Sequence, residues 1–184
     1  MNVYDFDKTI YNGDSTYDFY MYSIKKNPKT LFKVHNAIGG AIKHYVFKRC
    51  SKTQFKEKMY TFLKYANTEK EVELFWNKNE HKIKKWYLKN KKDDDVIISA
   101  SPEFLLKDIC KRLDIKYLIA SKVDSNSGKY TGENCYGEEK VKRFYKEIKN
   151  GKINEFYSDS YSDSPLAKIA EKSYLVVGDE LKEW

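Results

Sequence analysis

Apolar residues follow two spacings along this chain. Short continuous apolar runs, bounded by polar or turn-forming residues, predict buried β-strands, and apolar residues recurring every three or four positions predict helices. The strand-like runs are 3–6, 96–99, 117–121, 156–158 and 174–177. The helical patterns that separate most of them are 102–113, 138–148 and 165–171. Strands that alternate with helices favour an α/β fold, with a parallel sheet covered on both faces.

The stretch 16–92 has a different pattern, which is almost wholly helical. Its aromatic residues recur at helical spacing, and Pro28 and Gly39 interrupt the periodicity. This pattern predicts three to five helices that form a separate small unit between the first and second strands. The predicted division is a core of 1–15 and 93–184 and a helical insertion of 16–92.

Charge adds information about partners. The net charge is +8, and all but three of the 35 basic residues are lysine. Proteins that read nucleic acid usually rely on bidentate arginine contacts, so we expect no nucleic-acid partner. The lysine field favours anionic substrates or a solvated surface. No apolar run approaches the roughly 20 residues that span a bilayer.

One basic and partly apolar segment, 31–48, has two interpretations. It can form a pair of insertion helices whose apolar face packs inward, or it can lie against an anionic membrane surface as a peripheral contact.

Cysteine usage indicates the compartment. Cys50, Cys110 and Cys135 are too far apart for a zinc pattern, and their number is odd, which does not fit a disulfide framework. We therefore expect a protein of the reduced cytoplasm.

Two carboxylates, Asp5 and Asp7, end the first apolar run. Alternation along a strand directs both to the same side, and two like charges so close stay ionised cheaply only with a cation between them. The pair therefore predicts Mg²⁺, against the alternative of two solvated acids at a turn. An EF-hand is excluded because the sixth residue from Asp5 is Ile10, where that loop needs glycine.

Three further polar segments follow strands or begin helices. Ser99 ends the second strand and Ser101 precedes a helix, Lys140 lies in the first turn of a helix, and Asp159 and Asp163 follow a later strand. Simpler roles are open for four of these residues: Ser99 can be a buried hydroxyl with its hydrogen bonds satisfied, Ser101 and Asp163 can cap helices, and Lys140 can be a chance lysine. However, ligands of open α/β sheets bind at the carboxyl ends of the strands. Together these residues supply a nucleophile, an acid/base, a metal cage and a cation, which phosphoryl transfer requires.

These segments resemble the four motifs of the haloacid dehalogenase-like superfamily of phosphohydrolases. The resemblance covers nearly the whole chain: Asp5-Phe6-Asp7-Lys8-Thr9 is similar to the first motif, Ser99 to the second, Lys140 to the third, and Asp159 with Asp163 to the fourth. The helical insertion resembles the C1 cap of the phosphoserine phosphatase-like branch. That branch includes bacterial phosphatidylglycerophosphate phosphatase-like members, and 98–105 and 137–141 are typical of it. The resemblance implies a Rossmann-like core.

The resemblance also implies a role for each motif residue. Asp5 attacks phosphorus and forms an aspartyl-phosphate, and Asp7 protonates the leaving oxygen and then activates water. Thr9, Ser99 and Lys140 bind the phosphoryl oxygens, and Lys140 also neutralises charge between Asp5 and phosphate.

A Mg²⁺ ion is implied by the same resemblance. Its ligands are expected to be Asp5, the backbone carbonyl of Asp7, and Asp159, and Asp163 is expected to orient Lys140 or a water near the metal. In the insertion, Arg49, Lys43 and His44 are candidates for binding the far end of the substrate.

The resulting hypothesis is a Mg²⁺-dependent phosphomonoesterase that acts on a small phosphorylated metabolite or a phospholipid headgroup. The fourth motif is rich in serine where the phosphoserine phosphatases carry glycine, which weakens the case for phosphoserine. Two alternatives stay open: a non-catalytic protein that binds an anionic ligand on the same fold, and a phosphotransferase to an alcohol acceptor.

Overall fold

A six-stranded sheet forms the centre of the protein. The computed structural model describes residues 1–28, 39 and 51–184. The strands are β1 (Asn2–Tyr4), β2 (Val96–Pro102), β3 (Tyr117–Ser121), β4 (Ile153–Ser158), β5 (Ala170–Val177) and β6 (Glu180–Glu183). Their order across the sheet is β3-β2-β1-β4-β5-β6, and only the β5–β6 pairing is antiparallel. This arrangement confirms the predicted α/β class with a Rossmann-like core.

Helices cover both faces of this sheet. The described helices are α1 (Ser15–Lys26), α2 (Lys52–Met59), α3 (Thr68–Asn79), α4 (Lys85–Asn90), α5 (Glu103–Arg112), α6 (Glu138–Glu147) and the single turn α7 (Ser164–Ala167). Short 3₁₀ segments lie at Tyr60–Tyr65, Glu80–Lys82 and Tyr161–Asp163. Helices α1 to α4 all lie between β1 and β2, so the helical insertion is present. Its boundaries as an independent unit stay a prediction.

Strand β1 runs through the centre of the sheet, and its position assembles the polar segments. Val3 pairs with Val96 of β2 on one side and with Phe156 of β4 on the other, and all three are completely buried. Because these strands are parallel, their carboxyl ends meet at one edge. The residues that follow β1, end β2 and follow β4 therefore come together there.

The insertion packs on one face of the sheet. Phe19 of α1 and Phe75 and Trp76 of α3 belong to the same buried cluster as Phe6 and Leu105 of the core. The indole N–H of Trp76 donates to the carbonyl of Leu105 at 2.8 Å. A second cluster fills the opposite face, beneath α6 and α7. The insertion and the sheet thus share one continuous apolar core.

The loop between β3 and α6 also fixes the insertion. Gly128 in this loop adopts φ +73°, and a Cβ there would lie 2.6 Å from the backbone oxygen of Tyr60. The amide of Tyr130 donates to the Glu57 carboxylate of α2 at 2.9 Å. Gly128 is required by both the left-handed backbone and the close approach of the 3₁₀ segment.

Some local predictions were wrong. Ser101 does not cap α5, which begins at Glu103 after Pro102 without a side-chain cap. The predicted helix 165–171 ends at Ala167, because the chain enters β5 at Ala170. The segment 31–48 lies outside the described residues. In the part of the chain that the structure describes, no helix is long and apolar enough to cross a membrane.

Candidate active site

A polar cleft opens at the carboxyl edge of the sheet, with a volume of about 230 Å³. It is lined by the ends of β1, β2 and β4 together with the first turns of α1 and α6 and one residue of α2. The lining residues are Asp5, Asp7, Lys8, Asp14, Thr16, Lys56, Ser99, Ala100, Ser101, Tyr136, Lys140, Asp159, Ser160, Ser162 and Asp163. The four sequence motifs therefore meet in one cleft.

Lys140 occupies the centre of the charged groups. Its ammonium lies 2.7 Å from Oδ1 of Asp5 and 2.7 Å from Oδ2 of Asp163, and only 2% of its side chain is exposed. Helix α6 begins immediately after Gly137, whose φ is +58°. Burial lowers the pKa of Lys140, but the two carboxylates outweigh burial and raise it above its usual value. The ammonium is thus a permanent charge, and chance placement of this lysine is excluded.

Burial and the neighbouring charges act in opposite directions on the pKa of Asp5. Burial raises the pKa of its carboxyl to about 7, although Lys140 lowers it, and the charge of Asp163 adds to the rise. Lys140 therefore favours the ionised form, which a nucleophile needs, against a large desolvation cost.

Both oxygens of Asp7 are held by hydrogen bonds. The amide of Ser15, at the start of α1, donates to Oδ1 at 2.6 Å, and the hydroxyl of Ser101 donates to Oδ2 at 2.5 Å. Burial and the charge of Asp14 raise the pKa of Asp7 to about 6, while the bonds from Ser101 and Ser15 lower it. A carboxyl that titrates near neutrality can both give and accept a proton.

Thr9 differs from the sequence expectation. It is completely buried, it is absent from the cleft lining, and its hydroxyl oxygen accepts the amide of Asp159 at 3.0 Å. The expected direct contact with phosphoryl oxygens does not fit this placement. Thr9 instead ties the loop after β1 to the loop after β4.

Ser99 and the fourth-motif acids, Asp159 and Asp163, all line the cleft. The hydroxyl of Ser99 accepts the amide of Ser101 at 3.1 Å. Asp163 does not cap α7, because its Oδ2 accepts Lys140 and the hydroxyl of Ser158 at 2.8 Å. Burial raises the pKa of Asp159.

The donor set fits a hard cation such as Mg²⁺. Oδ1 of Asp163 is buried without a hydrogen-bond partner among the described residues, and Asp5 and Asp159 lie in the same cleft. Across residues 1–28, 39 and 51–184, no three acidic, histidine or cysteine side chains form a metal site by themselves. A backbone carbonyl would have to complete the ligand set, and carboxylate and carbonyl oxygens are the ligands that Mg²⁺ prefers.

A segment of the insertion supports the loop that carries Asp5 and Asp7. The amide of Lys84 donates to the carbonyl of Ile10 at 2.8 Å, and the amide of Asn12 donates to the carbonyl of Lys82 at 2.9 Å. The buried ammonium of Lys84 donates to the carbonyl of Lys8 at 2.6 Å and to that of Gly178. Lys8 has φ +57°, an uncommon conformation for a residue with a side chain.

The sequence pattern does not predict four of these contributors: Thr16, Lys56, Lys84 and the role of Ser101. For Ser101 a signal was present, since alternation along β2 directs Ser99 and Ser101 to the same side. Arg49, Lys43 and His44 lie outside the described residues, and their role stays a prediction.

Comparisons with known proteins agree with this fold. A protein of unknown function from Bordetella pertussis Tohama I matches with a TM-score of 0.73 and 18% identity, over 94% of this chain and 87% of that chain. A phosphoserine phosphohydrolase-like protein from Francisella tularensis matches with a TM-score of 0.56 and 20% identity, over 98% and 90%. A phosphoserine phosphatase, solved as an analogue of its phospho-aspartyl intermediate, matches with a TM-score of 0.57 and 19% identity, over 93% and 83%. A comparison with curated proteins finds no significant match.

The fold and the cleft together define an α/β protein with a carboxylate-rich centre at the carboxyl edge of its sheet. The haloacid dehalogenase-like hydrolase model matches residues 3–168, so the chain belongs to that family.

Proposed function

We propose that this protein is a Mg²⁺-dependent phosphomonoester hydrolase that works through an aspartyl-phosphate. The observation that carries the proposal is the buried bridge of Lys140 between Asp5 and Asp163, with Asp7 in the same cleft. Lys140 lowers the pKa of Asp5 against the effect of burial and so favours its ionised form, and Asp7 is a second carboxyl that titrates near neutrality. That pairing supplies a nucleophile and an acid/base within one site.

The first half-reaction uses both acids. A carboxylate oxygen of Asp5 forms a bond to phosphorus while the bond from phosphorus to the ester oxygen breaks. The electron pair stays on the ester oxygen, which takes a proton from Asp7 and leaves as an alcohol. Lys140 stabilises the negative charge on the phosphoryl oxygens, and the hydroxyl of Ser99 donates to them.

The second half-reaction regenerates the enzyme. Asp7, now ionised, takes a proton from water as the water oxygen bonds to phosphorus. The bond between phosphorus and Asp5 breaks, its electrons return to the carboxylate, and inorganic phosphate leaves. We propose that Thr9 acts indirectly here, by holding the amide of Asp159.

The metal would be held by Asp5, the backbone carbonyl of Asp7, and Asp159, with Asp163 alongside. When bound, Mg²⁺ neutralises charge on the phosphoryl group and on the crowded carboxylates. The insertion contributes Thr16 and Lys56 to the cleft, so it would select the leaving group. A small phosphorylated metabolite and a phospholipid headgroup are both retained as substrate classes.

The test is phosphate release from phosphoserine, a lysophospholipid phosphate and p-nitrophenyl phosphate, with Mg²⁺ or EDTA. Wild type should turn over at least one ester only with Mg²⁺, and Asp5→Asn should lose that turnover. Asp108→Asn is the matched control, because Asp108 pairs with Arg112 on α5 and is absent from the cleft lining. This control should retain activity.

Two results would redirect the assignment. If Mg²⁺ raises the melting temperature of wild type but no ester is hydrolysed, the result favours a non-catalytic protein that binds an anionic ligand, or a substrate outside the panel. If an added alcohol acceptor accumulates as its phosphate ester faster than inorganic phosphate appears, the enzyme is a phosphotransferase.

A further inference from the structure

Ser101 lies at a junction of hydrogen bonds that the four motifs leave unexplained. Its hydroxyl contacts Oδ2 of Asp7 at 2.5 Å and the hydroxyl of Thr16 at 2.9 Å. Ser101 is almost completely buried, and Thr16 and Asp7 line the same cleft. A serine that only ended a strand or capped a helix would not contact both groups.

The chemistry of Thr16, Ser101 and Asp7 fixes which group donates in each of the two hydrogen bonds between them. A hydroxyl carries one proton, and an ionised carboxylate can only accept. When Asp7 is ionised, the Ser101 proton must therefore point to Asp7, and the Thr16 hydroxyl must donate to Ser101. The result is a directed chain from Thr16 through Ser101 to Asp7, and a hydrogen bond to a charged acceptor is strengthened by a second bond behind it.

Two separate parts of the fold converge on Asp7. Ser101 comes from the end of β2 in the core, whereas the Ser15 amide and Thr16 come from the first turn of α1, where the predicted insertion begins. The free amides of a helix N-terminus are available for such bonds. Asp7 is thus held between core and insertion by contacts to both of its oxygens.

We propose that Ser101 is a positioning residue for Asp7, and that Thr16 acts on Asp7 only through Ser101. The proposal rests on the proposed function, in which Asp7 protonates the leaving oxygen. Loss of the Ser101 hydroxyl frees Oδ2, so the carboxyl swings out of line with the ester oxygen. Proton transfer to a poor leaving group then slows, while expulsion of a good leaving group is less affected.

The test compares two leaving groups. The fastest alkyl phosphate of the substrate panel releases an alkoxide that needs a proton, and p-nitrophenyl phosphate releases a stable phenolate. In Ser101→Ala, kcat/KM for the alkyl ester should fall about 100-fold, the loss typical of a misplaced reacting group. For p-nitrophenyl phosphate it should fall less than about tenfold, because general acid catalysis adds little there.

A matched control separates positioning from general damage. Ser173→Ala removes a partly buried hydroxyl that donates to the carbonyl of Ala167, away from the cleft lining. Its ratio of the two kcat/KM values should equal that of wild type. Equal losses for both esters in Ser101→Ala would overturn the proposal, because a structural defect affects both reactions alike.

A double-mutant cycle tests whether Thr16 acts on Asp7 through Ser101. Thr16→Val should lower alkyl-ester turnover in the wild-type background and have no further effect in Ser101→Ala. Independent, multiplicative losses would show that Thr16 does not act through Ser101. Thr61→Val, which removes an exposed hydroxyl bonded to the carbonyl of Lys58, is the control for the threonine change.

A crystal structure of Ser101→Ala provides a readout that needs no turnover. The Asp7 carboxylate should leave its position beside the Ser15 amide, and an unmoved carboxylate would overturn the proposal. If wild type hydrolyses no ester, the proposed function fails, and this structure still decides whether Ser101 positions Asp7.

Discussion

Removal of the buried ammonium in Lys140→Met should destabilise the protein by an amount that depends on pH. Methionine keeps most of the length and apolar volume of lysine, so the change deletes mainly the charge. The substitution leaves Asp5 and Asp163 buried side by side without their common cation. Removing one partner of a buried ion pair costs about 3–5 kcal/mol.

The pH dependence follows from Asp5. Burial raises its pKa to about 7 in the folded protein, above the roughly 3.9 of an unfolded chain. The folded state therefore holds this proton more tightly, and the stability that it contributes is complete below about pH 4 and is lost as pH rises through 7. Without Lys140 the folded pKa is higher still, and the loss continues to more alkaline pH, by about 1.4 kcal/mol for each unit of pKa.

The assay is urea unfolding in EDTA at about pH 6 and about pH 8.5, on either side of the Asp5 pKa. We expect a cost near 3 kcal/mol at the lower pH and near 5 at the higher, or a fall in melting temperature of about 6–20 °C. Lys140→Met/Asp5→Asn should recover much of the loss at the higher pH, since it removes one uncompensated charge. Lys142→Met, an exposed lysine of the same helix, should change stability by less than about 0.5 kcal/mol. Equal costs at both pH values, with no recovery in the double variant, would refute the reasoning.

Three further substitutions test supports of the cleft. Lys84→Met should lower kcat more than it changes KM, because it releases the loop after β1 without touching the substrate; an unchanged kcat in steady-state kinetics would contradict this. Gly128→Ala should lower the free energy of unfolding in urea by about 1–3 kcal/mol, because φ is +73° and the new Cβ would meet Tyr60. An unchanged free energy of unfolding would show that Tyr60 can move to make room for the Cβ. Thr9→Val leaves the Asp159 amide without its acceptor and should cost about 1–3 kcal/mol by thermal unfolding, whereas Thr9→Ser should retain most of the stability.

The sequence predicts the residues that line the cleft better than the contacts that hold its loops in place. Asp5, Ser99 and Asp159 could be placed together because parallel strands end at the same edge of a sheet, which needs no knowledge of side-chain contacts. In a lysine-rich chain the position of Lys140 also fits chance placement, and only its contacts with two buried carboxylates exclude that interpretation.

The misassigned hydroxyls share a physical cause. Ser101 precedes Pro102 and Glu103 in a pattern that also suits a helix cap, but its acceptor, Asp7, lies 94 residues earlier in the chain. Thr9 satisfies the amide of Asp159, 150 residues later. Local propensity carries no information about such distant acceptors. Strand β6 was missed because Glu180–Glu183 is exposed throughout and has no apolar alternation.

The contacts of Lys82 and Lys84 with the loop after β1 have a consequence for protein engineering. Since the insertion is proposed to select the leaving group, exchanging insertions between family members is a natural way to alter that choice. The obvious graft would replace everything from the start of α1 to the start of β2. Such a chimera would discard the ammonium that fixes the carbonyl of Lys8. The downstream junction should instead lie at Asn79, the last residue of α3, so that the recipient keeps Glu80–Lys84 as its own.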